Sequence, residues 1–167
     1  MVVVLVAGML GILAPAAPAY ADDGGFGARM LQLMNQQRAG AGVPALQASA
    51  SLAGVSQDRT YTGCGFPVSG RAKDMGTRNY FSHTILGCGA QSVFDMLGSL
   101  GIPTSGAGEN IAWMNGTTDP LVAAEHLFND LMASPPHRAN ILDANFTAVG
   151  IGSWHTAAGQ TWSGGGT

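Results

Sequence analysis

The stretch Ser134–Gly152, SPPHRANILDANFTAVGIG, changes character twice. Pro135 and Pro136 end any helix before them, because proline lacks the N–H of the helical ladder and its ring collides with the preceding turn. His137 and Arg138 are presented directly after that stop. Asn140, Ile141 and Leu142 predict a turn tucked against a core, and FTAVGIG alternates like a strand entering a sheet.

Upstream, DPLVAAEHLFNDLMASPP predicts a helix with an Asp119 cap and Pro120 at its first position. FGARMLQLMNQQRAG places Phe26, Met30, Leu33 and Met34 at helical spacing and stops at Gly40. QASASLAGVSQDRTYTG continues in helical style until glycine and proline break it in TGCGFPVSG; RAKDMGTRNYF then resumes it. QSVFDMLGSLGIP predicts one more helix. ENIAWM and FTAVGIGSWH are strand-like, and GQTWSG is placed to pair with the latter across TAAG. This order implies an α+β fold with helices packed on a small antiparallel sheet.

The chain has 167 residues, 46% hydrophobic and only 10% charged, which suits one compact domain with a real core. Net charge is −3, Lys73 is the single lysine, and the arginines are scattered, so neither nucleic acid nor an anionic membrane is an expected partner. Val2 to Leu13 is an uncharged apolar run, too short to span a bilayer, and Ala19-Tyr20-Ala21 fits an A-x-A cleavage site. Residues 1–21 are therefore expected to be a signal peptide lacking the usual basic start, and 22–167 a single domain. Export places the protein outside the cell or in the cell envelope, with no membrane span after cleavage and a monomer favoured. In that compartment Cys64 and Cys88, each flanked by glycine, are most simply one disulfide; no zinc motif matches their spacing.

His83 in NYFSHT, Glu109 in GAGENIAW and His137 lie at the boundaries of apolar segments, where a fold could bring them together. Spacing alone leaves each with an ordinary alternative: a histidine bonded to a helix-end carbonyl, a solvated glutamate before a strand. GAGENI lacks the strand–helix surroundings of a dinucleotide site. Asn115 and Asn145 match glycosylation acceptors by composition only, and no role is assigned to them.

The segments YFSHT, GENIA and SPPHRANILDANFTAVGIG resemble, in order, the signature segments of the CAP superfamily, the SCP-like domains of cysteine-rich secretory proteins, antigen 5 and plant pathogenesis-related protein 1. HRANIL running into FTAVGIG is most similar to its short bacterial branch. The resemblance runs from about Phe26 to Trp162. It implies an α-β-α sandwich with a central cleft holding two histidines and two acidic residues, and in some members a divalent metal. Carried over by motif, His83, Glu109 and His137 match. Ser134 stands at the fourth position in place of an acid, and Leu131 stands in place of a tryptophan. TYTGCGFPVSG, residues 60–70, is similar to an insertion in one long second helix. The chain stops at TWSGGGT, where relatives continue a last strand.

The resemblance implies a metal set of His83, His137 and, as a third member, Glu109, for Zn²⁺, Mg²⁺ or Ca²⁺. It also implies a secreted module that binds a lipid, a sterol or another small apolar ligand. Phe94 and Leu97, apolar residues of the QSVFDMLGSLGIP helix, are candidates to line such a groove, with core packing the ordinary job of each. A metal-dependent hydrolase or protease using His83, His137 and Glu109 is the enzymatic alternative. A cell-envelope interaction domain is the third. No G-x-S-x-G or H-E-x-x-H is present, so the binding module is favoured over catalysis.

Overall fold

The computed structural model describes residues 2–7, 25–155 and 160–166, with side chains from 25 to 155. Helix α1 (Phe26–Gly40) buries Phe26, Met30 and Met34 at four-residue intervals, and the next member of that row, Arg38, is buried with them. Strand β2 (Gln47–Ala48) leads into α2 (Ala50–Gln57), whose first turn is capped by the Ser49 hydroxyl accepting from the Leu52 N–H. The helical pattern expected on to Gly63 stops sooner. Residues 60–70 form a hairpin of β3 (Thr60–Tyr61) and β4 (Val68–Ser69) before α3 (Arg71–Arg78) begins. A capping box of Ser92 and Asp95 starts α4 (Val93–Ser99).

Strand β5 (Gly106–Asn115) is followed by α5 (Pro120–Ala133), where the Asp119 carboxylate accepts from the N–H groups of Leu121 and Val122 at 2.8 and 3.3 Å. A turn was expected after Pro135-Pro136. Instead the two prolines open a short helix, α6 (Pro135–Ile141), because the first helical turn needs no donor from them. They end one helix and start the next.

Strand β6 (Ala148–His155) pairs antiparallel with β7 (Gln160–Gly166), Ser153 opposite Ser163, as the FTAVGIGSWH and GQTWSG patterns predict. β7 also pairs antiparallel with β5, Ile111 opposite Gly164. The sheet is not wholly antiparallel: β2 runs parallel to β6. Val2–Ala7, inside the expected leader, forms β1, which pairs antiparallel with both β5 and β6, Val2 facing Ile111 and Gly152. The rest of residues 1–21 lies outside the described residues.

Side chains alternate across the sheet into two separate cores. Ala112, Val149 and Ile151 join α1, α5 and the end of α6 on one face. Ile111, Ala148 and Trp154 join α2, α3 and α4 on the other. That is the α-β-α sandwich of an α+β fold, with β5 carrying Glu109 into one layer and Asn110 toward the other. The glycines of VGIG permit the close fit of α2 on β6. A Cβ at Gly150 would fall on the backbone of Leu52 and Ala53, and one at Gly152 on that of Ser56 and Gln57. Among the described residues no helix is long and apolar enough to cross a membrane.

Cys64 and Cys88 form a disulfide, with Cα atoms 5.0 Å apart and 24 residues of separation. It fastens the hairpin to the loop that follows His83. Tyr61 and the Gly63 carbonyl also hold that loop through the Gln91 side chain. Replacing both cysteines by alanine is expected to lower stability by about 3 kcal/mol, through the freed unfolded chain, while the loop stays docked. Chemical denaturation of the double variant, with intact mass before and after reduction of the wild type, checks both halves of this expectation.

Candidate functional site

The sequence around His83 folds back on itself. Asn79 takes a left-handed conformation (φ 53°) that ends α3 and returns Tyr80–His83 along the helix. There the chain meets the inward face of α3, on which Arg71, Asp74 and Arg78 recur at helical spacing. Arg71 is fully buried. Its Nε donates to Glu109 Oε1 at 3.1 Å, Nη1 donates to the Tyr80 hydroxyl at 2.7 Å, and Nη2 donates to the carbonyls of Ser82 and His83 at 2.6 and 3.3 Å. The Tyr80 hydroxyl in turn donates to Asp74, whose carboxylate accepts from Arg78 at 3.1 Å.

Electrostatics follow from this packing. Burial alone would lower the Arg71 pKa; the Glu109 charge and the Tyr80 hydroxyl outweigh it, so the guanidinium titrates above its ordinary value. Burial pushes the Tyr80 phenol up to about 12, with Arg71 pulling the other way and Asp74 adding to the rise. Arg71 therefore stays cationic, and Tyr80 stays protonated as a donor.

Glu109 is buried, and both of its oxygens are engaged. Oε2 lies 2.7 Å from Nδ1 of His83, whose own side chain is 55% exposed. A carboxylate can only accept, so in this contact Nδ1 of His83 is the donor. Glu109 is thus an orienting group beneath His83.

His137 approaches from the other side on α6. Its backbone carbonyl accepts from Asn110 Nδ2 at 3.1 Å, and Asn110 Oδ1 accepts from Asn140 Nδ2 at 2.9 Å. The fully buried Asn110 of GENIA thereby fastens the HRAN segment to β5. The His137 pKa is lowered, first by burial and then by the charge of His83. His137 thus remains neutral to a lower pH than an ordinary imidazole. Because the unfolded chain binds that proton first, its effect on stability is unfavourable in acid and vanishes above the ordinary histidine pKa.

The three motif residues are brought together, but not as a three-ligand set. Among the described residues no group of three or more His, Cys, Asp or Glu side chains is placed to hold a metal ion. Ser134 is half-buried at the junction of α5 and α6 and makes no side-chain cap, and Leu131 sits in the core. Of the two groove candidates, Leu97 packs in the core, its ordinary job, whereas Phe94 is 47% exposed. Asn110 and Arg71 are the site residues that sequence reasoning missed.

The model of the cysteine-rich secretory protein family, CAP, matches residues 31–164. The chain belongs to the CAP family. A CAP-matching relative in Bacillus subtilis, YkwD, is 35% identical over 137 residues, which is 81% of this chain and 44% of that protein. An extracellular SCP-domain protein from Bacillus anthracis superposes with TM-score 0.59 at 26% identity, covering 88% of this chain and 44% of that one. This CAP chain therefore spans less than half the length of either. An outer surface protein of Borrelia burgdorferi shares the fold alone, with TM-score 0.63 at 12% identity over 89% of this chain and 95% of its own.

Proposed function

We propose that this CAP domain is an exported, non-catalytic binding module for a lipid, a sterol or a similar apolar ligand. One observation carries the non-catalytic part: both Glu109 oxygens are committed, to Arg71 and to His83. A general base needs a free oxygen within reach of a substrate proton. The apolar part is supported by Phe81, Leu86 and Phe94, three of the six large exposed hydrophobics among the described residues, which fall in the stretch from the end of α3 into α4; Trp113, Leu121 and Val122 are the others.

A divalent ion fits this cleft only as an exchangeable guest. Nε2 of His83 and the imidazole of His137 would hold it, with water completing its shell, and such a nitrogen pair favours Zn²⁺ over Mg²⁺ or Ca²⁺. The test is the double variant His83→Ala/His137→Ala, which leaves the Arg71–Glu109 pair intact. Zn²⁺ binding by calorimetry is expected to disappear. Binding of a fluorescent sterol or fatty acid is expected to stay within about twofold, since a few tenths of a kcal/mol is the usual effect of distant surface changes. Neither wild type nor variant should turn over ester or peptide substrates. Turnover by the wild type that the double variant loses would establish the hydrolase instead. Loss of sterol binding in the double variant would place the ligand in the histidine cleft itself.

A further inference from the structure

A buried arginine gathers backbone carbonyls near each cleft histidine. In one case these are at Ser82 and His83 themselves; in the other they run from Ile141, four residues past His137, while Asn110 holds the His137 carbonyl. Each histidine thus sits on a segment whose backbone carbonyls are gathered by one fully buried arginine. Under His83 this is Arg71, reaching the carbonyls of Ser82 and His83. Under His137 it is Arg38, from the opposite layer of the sandwich. Its Nη1 donates to the carbonyls of Ile141 and Asp143 at 2.8 and 2.9 Å, Nη2 to that of Phe146 at 2.9 Å, and Nε to that of Pro44 at 2.6 Å. Three of these four acceptors, the carbonyls of Ile141, Asp143 and Phe146, lie at the end of α6, one turn after His137, and in the run into β6; Pro44 lies in the loop after α1.

No side-chain hydrogen bond to a carboxylate is among these contacts of Arg38; carbonyls take its fork. Burying a guanidinium for packing alone is costly. An apolar residue would continue the row of Phe26, Met30 and Met34 at lower cost. What arginine adds is a planar fork that fixes several carbonyls at once, which a lysine ammonium on a flexible stem cannot reproduce.

We infer that Arg38 and Arg71 are a matched pair of positioning residues, each setting the place of one cleft histidine, so that the His83–His137 spacing is determined by two buried guanidinium forks. This rests on the reading that the two histidines are the working groups of the cleft, but its test needs no ligand.

The experiment uses the full chain, labelled with ¹⁵N, and follows the imidazole resonances of all four histidines in wild type, Arg38→Lys and Arg71→Lys. Lysine keeps charge and length and removes the fork. Arg38→Lys is expected to shift and broaden His137 while His83 stays; Arg71→Lys is expected to move His83 while His137 stays. His126, exposed on α5 in a pair with Asp130, is the internal reference and moves in neither. Arg38→Gln and Arg71→Gln replace any lysine variant that does not fold. Adding Gly98→Ala, a distant substitution with open space about the new methyl group, raises stability without restoring the imidazole positions. The inference fails when neither histidine moves in either variant, when both move equally in both, or when Gly98→Ala restores the resonances. A zinc titration that comes out negative for the wild type would bear on the metal reading alone.

Discussion

Arg71→Met is expected to be among the most damaging single substitutions in this domain, at about 3–5 kcal/mol. Methionine fills much of the volume, so the loss is electrostatic. It strands the Glu109 carboxylate, whose side chain is 2% exposed, with His83 as its remaining partner. It also releases the Tyr80 hydroxyl and the Ser82 and His83 carbonyls. Urea melts of both proteins at neutral pH measure the loss, and a difference below about 1 kcal/mol, the size of an exposed pair, would show that Glu109 is solvated in some other way. The same reasoning makes Glu109→Gln a poor mimic of the wild type, because it leaves Arg71 buried without a counter-charge.

Gly150→Val is expected to cost about 3 kcal/mol or more, at or beyond the upper end of overpacking effects, because the obstacle is helix backbone and not a side chain that can rotate away. α2 lies on the glycine face of β6, and the Ser56 hydroxyl donates to the Gly150 carbonyl at 3.3 Å. Moving α2 outward would open the core around Leu52 and Val55. Gly98→Ala in α4 is the contrasting case: no heavy atom lies within 4 Å of the added carbon, and the gain is about 0.5–1 kcal/mol. Thermal melts of the two variants should move in opposite directions. A neutral Gly150→Val would mean that α2 does not rest on β6 as described.

The fold class, the long helices and the main strand pairing were legible in the sequence because they rest on periodicity. Phe26, Met30 and Met34 announce α1, Asp119-Pro120 announces α5, and FTAVGIGSWH with GQTWSG announces the hairpin. The cysteine pair was legible from context. What escaped was polar and inward-facing. Arg38 continues an apolar row, and Arg71, Asp74 and Arg78 form a stripe like that of a core-facing helix, but a charged side chain at such spacing is ordinarily solvated. Arg38 and Arg71 find carbonyls and a carboxylate 38 to 108 residues away besides nearer partners, and periodicity does not register these. Asn110 was hidden for the same reason. The second helix was overextended because glycine breaks were visible in 60–70 but the hairpin pairing of Thr60 with Ser69 was not.

The fork of Arg38 also bears on the order of events in folding. Its contacts with Ile141 and Phe146 join points 103 and 108 residues apart. Such a link can form only after most of the chain has been gathered, since each long loop must lose its entropy before the contact rewards it. The fork is therefore expected to form on the native side of the rate-limiting barrier. Arg38→Lys should leave the refolding rate nearly unchanged and accelerate unfolding, so that the chevron changes in one arm. A residue that holds His137 in place would then also set how long the native domain persists before it opens.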